Sequence, residues 1–208
     1  HRDLLQGGVP VRMPIPKEEV RSLNIGDIVH LDGTLFTGRD EMHIRALEMA
    51  REGEELPVDL ENAVVFHCGP LVIRQGEEWR VVAAGPTTSA RMNSLEPDFI
   101  REFEVSAIIG KGGMSSGTVE AMREHGCVYL AMTGGPAALA ARNIRRVVGL
   151  HWEDLGVPEA IWELEVEGFG PLTVAIDAHG NSLYEEVGKK VDGRLPAIKR
   201  ELGITPPR

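Results

Sequence analysis

Ala107-Ile108-Ile109-Gly110-Lys111-Gly112-Gly113-Met114-Ser115-Ser116 carries the signals on which the fold reading turns. The apolar residues make a brief buried strand and the glycines break it. Either serine can then cap a helix over Thr118–His125, which Gly126 ends. Val119 and Met122 face inward from that helix. The same succession of strand, glycine-bearing turn and helix start recurs near residues 37, 87 and 134, with no repeated sequence behind it. Alternation of this kind predicts an α/β domain whose ligands gather at the carboxyl ends of strands.

Working outward, the apolar run Trp79–Ala84 ends in Gly85-Pro86, and the hydroxyls of Thr87, Thr88 and Ser89 are candidate caps for a short helix. Arg91 falls in that helix's first turn, where the dipole disfavours a cation. Thr37-Gly38-Arg39-Asp40 repeats the oddity. Thr37 with Asp40 resembles a capping box, Arg39 sits at the helix start, and the helix runs to about Glu52, with Gly53 as its stop. Cations beside free backbone N–H groups suit a carboxylate or phosphate ligand. Gly110-Lys111-Gly112-Gly113 is not a Walker loop, since glycine follows the lysine, but it can bring one ammonium group to an anion.

The remaining segments fill in the architecture. Asp27–Leu35 predicts one or two short strands broken at Gly33, and Gln75-Gly76-Glu77 a turn between Leu71–Ile73 and Trp79–Ala84. Pro97–Phe103 reads as a short helix, Cys127–Met132 as a strand, and Ala137–Ile144 as an Ala-rich helix after Thr133-Gly134-Gly135-Pro136. Ala160–Val166 and Leu172–Ala178, separated by Glu167-Gly168-Phe169-Gly170-Pro171, predict a β-hairpin. Two helices are expected near Leu183–Lys190 and Leu195–Leu202. A mixed sheet fits better than a purely parallel one. Residues 1–12 lack periodicity and read as a leader or disordered segment ahead of a native start at Met13, with 13–208 as a single domain.

Composition narrows the function classes. The 208 residues carry a formal net charge of −10, which argues against nucleic acid or an anionic membrane as the main partner. No apolar run is long enough to span a bilayer. The two cysteines, Cys68 and Cys127, cannot build a disulfide framework, so a cytoplasmic location is expected. Neither they nor the seven histidines show structural-zinc spacing, and no metal site is expected on this chain. His43, one turn into the helix that follows Arg39, can position or protonate something there, although a structural histidine is the plainer reading.

Taken together, Thr37-Gly38-Arg39-Asp40 with His43, Gly85-Pro86-Thr87-Thr88-Ser89-Ala90-Arg91-Met92 and Gly110-Lys111-Gly112-Gly113-Met114 closely resemble a known family. It is the β subunit, or C-terminal domain, of the iron–sulfur-dependent class I fumarases and L-tartrate dehydratases. The resemblance covers roughly residues 15 to 190 and implies a swivelling β/β/α domain. It also implies a four-iron four-sulfur cluster held by a partner α subunit, in a hetero-oligomer acting on a small dicarboxylate. Arg39, Arg91 and Lys111 would grip the substrate carboxylates. Thr87 would take the proton at carbon, with Thr88 beside it as a donor and Asp40 and His43 as candidates to support Thr87. Fumarate hydratase is the activity expected first, L-tartrate dehydratase the alternative, and a stand-alone anion-binding or regulatory module the reading outside the enzyme class. Two thiols are too few for the usual cluster ligation, which makes this chain half of an active site.

Overall fold

The computed structural model describes residues 7–133 and 137–201. The Gly134-Gly135-Pro136 turn, the first six residues and the end of the tail lie outside them. Among the described residues no helix is long and apolar enough to cross a membrane.

Short, fully apolar strands dictate the centre of the fold. β1 (Val9–Arg12), β2 (Ile28–Thr37) and β3 (Val64–Phe66) lead through a side hairpin, β4 (Leu71–Gln75) and β5 (Glu78–Ala83), to β6 (Ala107–Gly110) and β7 (Val128–Ala131). β2, β3, β6 and β7 run parallel in that order. After β8 (Ile144–His151), the long β9 (Ile161–Ile176) pairs antiparallel with both β2 and β7 and closes a five-strand ring. β1 pairs with the first half of β2, and β8 with the first half of β9.

Because strand side chains alternate, each buried strand feeds two cores. Phe66, Ile109, Leu130, Trp162 and Leu164 belong to one cluster, with Leu31, Leu35 and Phe169. Their sequence neighbours Val65, Ile108 and Tyr129 belong to another, with the helical residues Met42, Ala46, Phe99 and Met122. Those helices are α2 (Asp40–Glu52), α3 (Glu96–Phe103) and α4 (Ser116–His125), numbered after α1 (Lys17–Ser22). The expected mixed α/β sheet is therefore present, in the form of a closed barrel-like ring with helices over one face. Gly53 and Gly126 end α2 and α4 in the left-handed conformation, and Ser115 caps α4.

Several expectations are corrected. Residues 9–12 are not disordered: they form β1, and Val11 is buried against the core. The stretch Ala160–Ala178 is no hairpin but lies mostly in the single strand β9. Its would-be turn is absorbed as two register shifts, in each of which β9 takes three residues to β2's two, opposite Val29–Leu31 and Leu31–Gly33. Asp32 Oδ1 accepts the Gly168 N–H at 2.7 Å, so a backbone donor freed by the irregularity is satisfied across the seam. A Cβ at Gly170 would stand 2.7 Å from the Val29 carbonyl, so the strands meet there only because the residue is glycine. The Ala-rich helix stops at Ala141 as α5 (Ala137–Ala141), and β8 takes over from Ile144. The two tail helices are one, α6 (Leu183–Glu201), with Pro196 inside it.

Candidate functional site

The parallel order β2-β3-β6 places the segments that follow these strands at one end of the ring: Gly38–Asp40, His67–Pro70 and Lys111–Ser115. The Gly85–Met92 segment is fastened among them. Pro86 bridges to Cys68, Thr88 bridges to Lys111, Thr87 N donates to the His67 carbonyl at 2.7 Å, and Ser89 N donates to the Lys111 carbonyl at 3.0 Å. The sequence candidates Arg39, Asp40, Thr87, Thr88, Arg91 and Lys111 thus gather from three separate segments.

Thr37 does not join them as a cap. Its hydroxyl is buried, accepts the Trp162 N–H at 3.1 Å and donates to the Ala160 carbonyl at 3.4 Å. Arg39 itself occupies the N-cap position of α2, with no side-chain capping bond. A Cβ at Gly69 would lie 2.7 Å from the Arg39 guanidinium, so the glycine leaves that group its place. Thr87–Ser89 likewise cap no full helix: Ser89–Met92 is a single 3-10 turn with no side-chain cap.

Each guanidinium has a protein carboxylate at hand. Arg39 Nε lies 3.3 Å from Glu159, and Arg91 pairs with Asp40. Lys111 is exposed and pairs with no carboxylate among the described residues. Thr87 is half-buried and Thr88 exposed. Among the described residues neither Asp40 nor His43 hydrogen-bonds to the Thr87 hydroxyl. Asp40 is engaged by Arg91, and His43 points into the core.

Beneath this open rim lies a cluster that no sequence motif announces. Glu96, His43 and His67 have no exposed surface. The Nε2 atoms of both histidines stand 3.0 Å from Glu96 Oε2. His67 Nδ1 lies 2.8 Å from Ser89 Oγ, which also accepts the Tyr129 hydroxyl at 3.0 Å. His43 Nδ1 is 2.7 Å from the Arg39 carbonyl. Burial pushes the His67 pKa down. At His43 burial, the largest single influence, also acts downward, but the Glu96 charge and hydrogen bond, the Arg39 carbonyl and the Asp40 charge together outweigh it and the net shift is upward. Burial would raise Glu96, yet the two histidines hold its carboxyl at about 2. One proton assignment satisfies these directions: imidazolium at His43, carboxylate at Glu96, and neutral His67 donating from Nε2 while Nδ1 accepts from Ser89.

His43, His67 and Glu96 bring ligand atoms within 4.8 Å of one another, the only such trio among the described residues. Under this proton assignment both Nε2 atoms carry protons, so a metal ion there would have to displace them. An iron–sulfur cluster does not fit the chain's thiols. Cys68 and Cys127 are fully buried in different cores. Burial pushes the Cys68 thiol up to about 12, with Arg39 opposing weakly, and raises Cys127 as well.

These features define a class: an α/β domain that presents cations and hydroxyls at the carboxyl end of a parallel strand set. The chain belongs to the Fumarase C-terminus family, whose profile matches residues 6–187. A Methanocaldococcus jannaschii protein provisionally named L(+)-tartrate dehydratase subunit beta is 48% identical over 87% of this chain and 93% of its own length. The Escherichia coli K12 protein named L(+)-tartrate dehydratase subunit beta is 40% identical over 91% and 92%. A Geobacillus stearothermophilus protein provisionally named fumarate hydratase class I is 38% identical over 92% of this chain, which corresponds to 36% of that longer protein.

Proposed function

We propose that the chain is the β subunit of a heteromeric hydro-lyase acting on a four-carbon dicarboxylate, completed by an α subunit that carries the iron–sulfur cluster. The observation that carries the reading is the meeting of the segments that bear Arg39, Arg91 and Lys111 with Thr87 and Thr88, through the Arg91–Asp40 pair and the Thr88–Lys111 bridge. Adding or removing water across the central carbons of such a substrate builds negative charge on a carboxylate as the carbon proton leaves. Fixed cations aimed at that carboxylate stabilise the charge without reorganising. Glu159 and Asp40 hold the two guanidiniums in the way substrate carboxylates would, and a bound dianion would exchange for them. Thr87 and Lys111 are the proton-handling pair in this reading, with Arg39, Thr88 and Arg91 binding substrate. The full-length relatives named tartrate dehydratase give L-tartrate a standing equal to fumarate. A cytoplasmic location and one folding unit, in which β1 joins residues 13–208, belong to the same reading.

The test is anaerobic assembly with a cysteine-bearing α subunit, followed by assays of fumarate hydration and L-tartrate dehydration. Replacing Arg91 or Lys111 with methionine removes one charge-assisted carboxylate contact. Such a loss costs about 2–5 kcal/mol, so kcat/KM should fall on the order of 30- to several-thousand-fold with the fold intact. Wild-type turnover in both variants would place the site elsewhere. Dicarboxylate binding without turnover, in an assembly that contains the cluster, would favour the stand-alone anion-binding module.

A further inference from the structure

Glu96 is a carboxylate with no exposed surface in a chain that has ample surface for its acidic residues. Its Oε1 and the Nε2 of His43 are buried without an aligned hydrogen-bond partner, although His43 Nε2 and Glu96 Oε2 are within ion-pair distance. Buried ion clusters of this kind are weak contributors to stability, and apolar replacements often do as well. Stability alone is therefore a poor account of the cluster, and its placement offers a better one.

Each histidine is tied to a different part of the rim. His43 reaches the Arg39 carbonyl through Nδ1. His67 reaches Ser89 through Nδ1, while its own carbonyl accepts the Thr87 N–H. Ser89 N in turn holds the Lys111 carbonyl. From Glu96, at the first residue of α3, the backbone of Arg39, of Thr87 and of Lys111 is reached through one imidazole and at most two further hydrogen bonds. The chain has made room for this wiring. A Cβ at Gly110 would lie 1.8 Å from Ser89 Oγ and 3.1 Å from the Tyr129 hydroxyl.

We infer that Glu96 is a positioning residue which, through His43 and His67, fixes the separation between the Arg39 segment and the Thr87–Lys111 segment, and so matches the cations to the span of a dicarboxylate. The inference rests on the proposed dicarboxylate site. A ligand gripped at both ends gains because its second carboxylate meets a cation already at the right distance. Loosening the separation removes that gain but leaves each cation able to hold a single carboxylate.

The readout is therefore a ratio: inhibition constants of succinate and butyrate, equal in carbon number, against the assembled enzyme. Succinate should bind the wild type at least tenfold more tightly than butyrate. Glu96→Gln should shrink that ratio at least tenfold and leave butyrate within threefold of wild type. His67→Gln, which cuts only the Ser89 arm, should do the same and serves where Glu96→Gln fails to fold. The ratio does not depend on how much protein is active, so a merely structural role would leave it unmoved. If the wild type prefers succinate and both soluble variants keep the ratio within threefold, the inference is wrong and the dicarboxylate site stands. If the wild type shows no preference, the dicarboxylate site itself falls, and the inference with it.

Discussion

His43 shows how one residue can look ordinary in the sequence and be singular in the molecule. It lies one turn into α2, where a histidine usually faces solvent or packs quietly, yet it is buried with Nε2 3.0 Å from Glu96. Arg39, Arg91 and Lys111 were legible as candidates because a cation in a glycine-bearing helix-start segment is a local anomaly. Glu96 and His67 were not, since they are 29 residues apart and meet only through tertiary packing. Ser89 was read as a cap and serves instead as a junction between His67 and Tyr129. The upward shift at His43 gives a pH signature. A pKa raised in the folded state above 6.5 stabilises fully below 6.5 and loses that contribution as pH rises through the raised value. His67, shifted below 6.5, works against this on the acid side, and Glu96 adds stability that fades only as pH falls from 4.5 towards about 2. Stability should therefore decline as pH rises above 6.5, by no more than about 1.4 kcal/mol per pH unit from this one proton, and the melting temperature should fall with it. His43→Gln should flatten that limb. An identical limb in the variant, followed by calorimetry from mildly acid to alkaline pH, would mean that His43 is neutral in the folded protein.

At the scale of elements, local signals were reliable where the element is finished locally. The β4–β5 hairpin, α2 with its Gly53 stop and α4 with its Ser115 cap lie where the sequence puts them. Failures came where a distant strand decides. Glu167–Pro171 has the composition of a turn, but β2 offers partners to β9 on both sides of it, from Glu163 to Thr173, and those hydrogen bonds outweigh the turn preference. Thr37 was misread for the same reason: the Trp162 N–H and the Ala160 carbonyl claim its hydroxyl. That assignment can be tested without any ligand. Thr37→Val is close to isosteric but leaves the buried Trp162 donor unsatisfied, at a cost of about 1–3 kcal/mol. For a chain of this size the melting temperature should drop by roughly 2–12 °C, and Thr37→Ser should recover most of it. A valine variant as stable as wild type would show that the β2–β9 seam does not need the hydroxyl.

For the whole molecule, the proposed division of labour between two subunits turns on where the thiols are. A chain that kept a cluster of its own would place thiolates where iron can reach them. Here Cys68 lies in the core that lines the strand ring, Cys127 in the core beneath the helices, and burial keeps both protonated. The rim above them offers cations and hydroxyls, which in the proposed reading would hold an anion and move a proton but supply no Lewis acid for a hydroxyl group. Net charge shows none of this: the molecule totals −10, while Arg39, Arg91 and Lys111 lie in segments brought to one end of the ring. We therefore expect the purified chain, taken through anaerobic reconstitution with iron and sulfide, to be folded and to retain less than about 0.1 iron per chain, since neither thiol can ligate without opening a core. The same preparation should be stabilised by millimolar dicarboxylate, because a ligand that binds only the folded state raises its melting temperature. Added salt should weaken that shift, since the rim contacts are exposed ion pairs. Stoichiometric iron on the lone chain, or fumarate turnover after its metals are stripped, would put both halves of the site on this polypeptide and overturn the half-site reading.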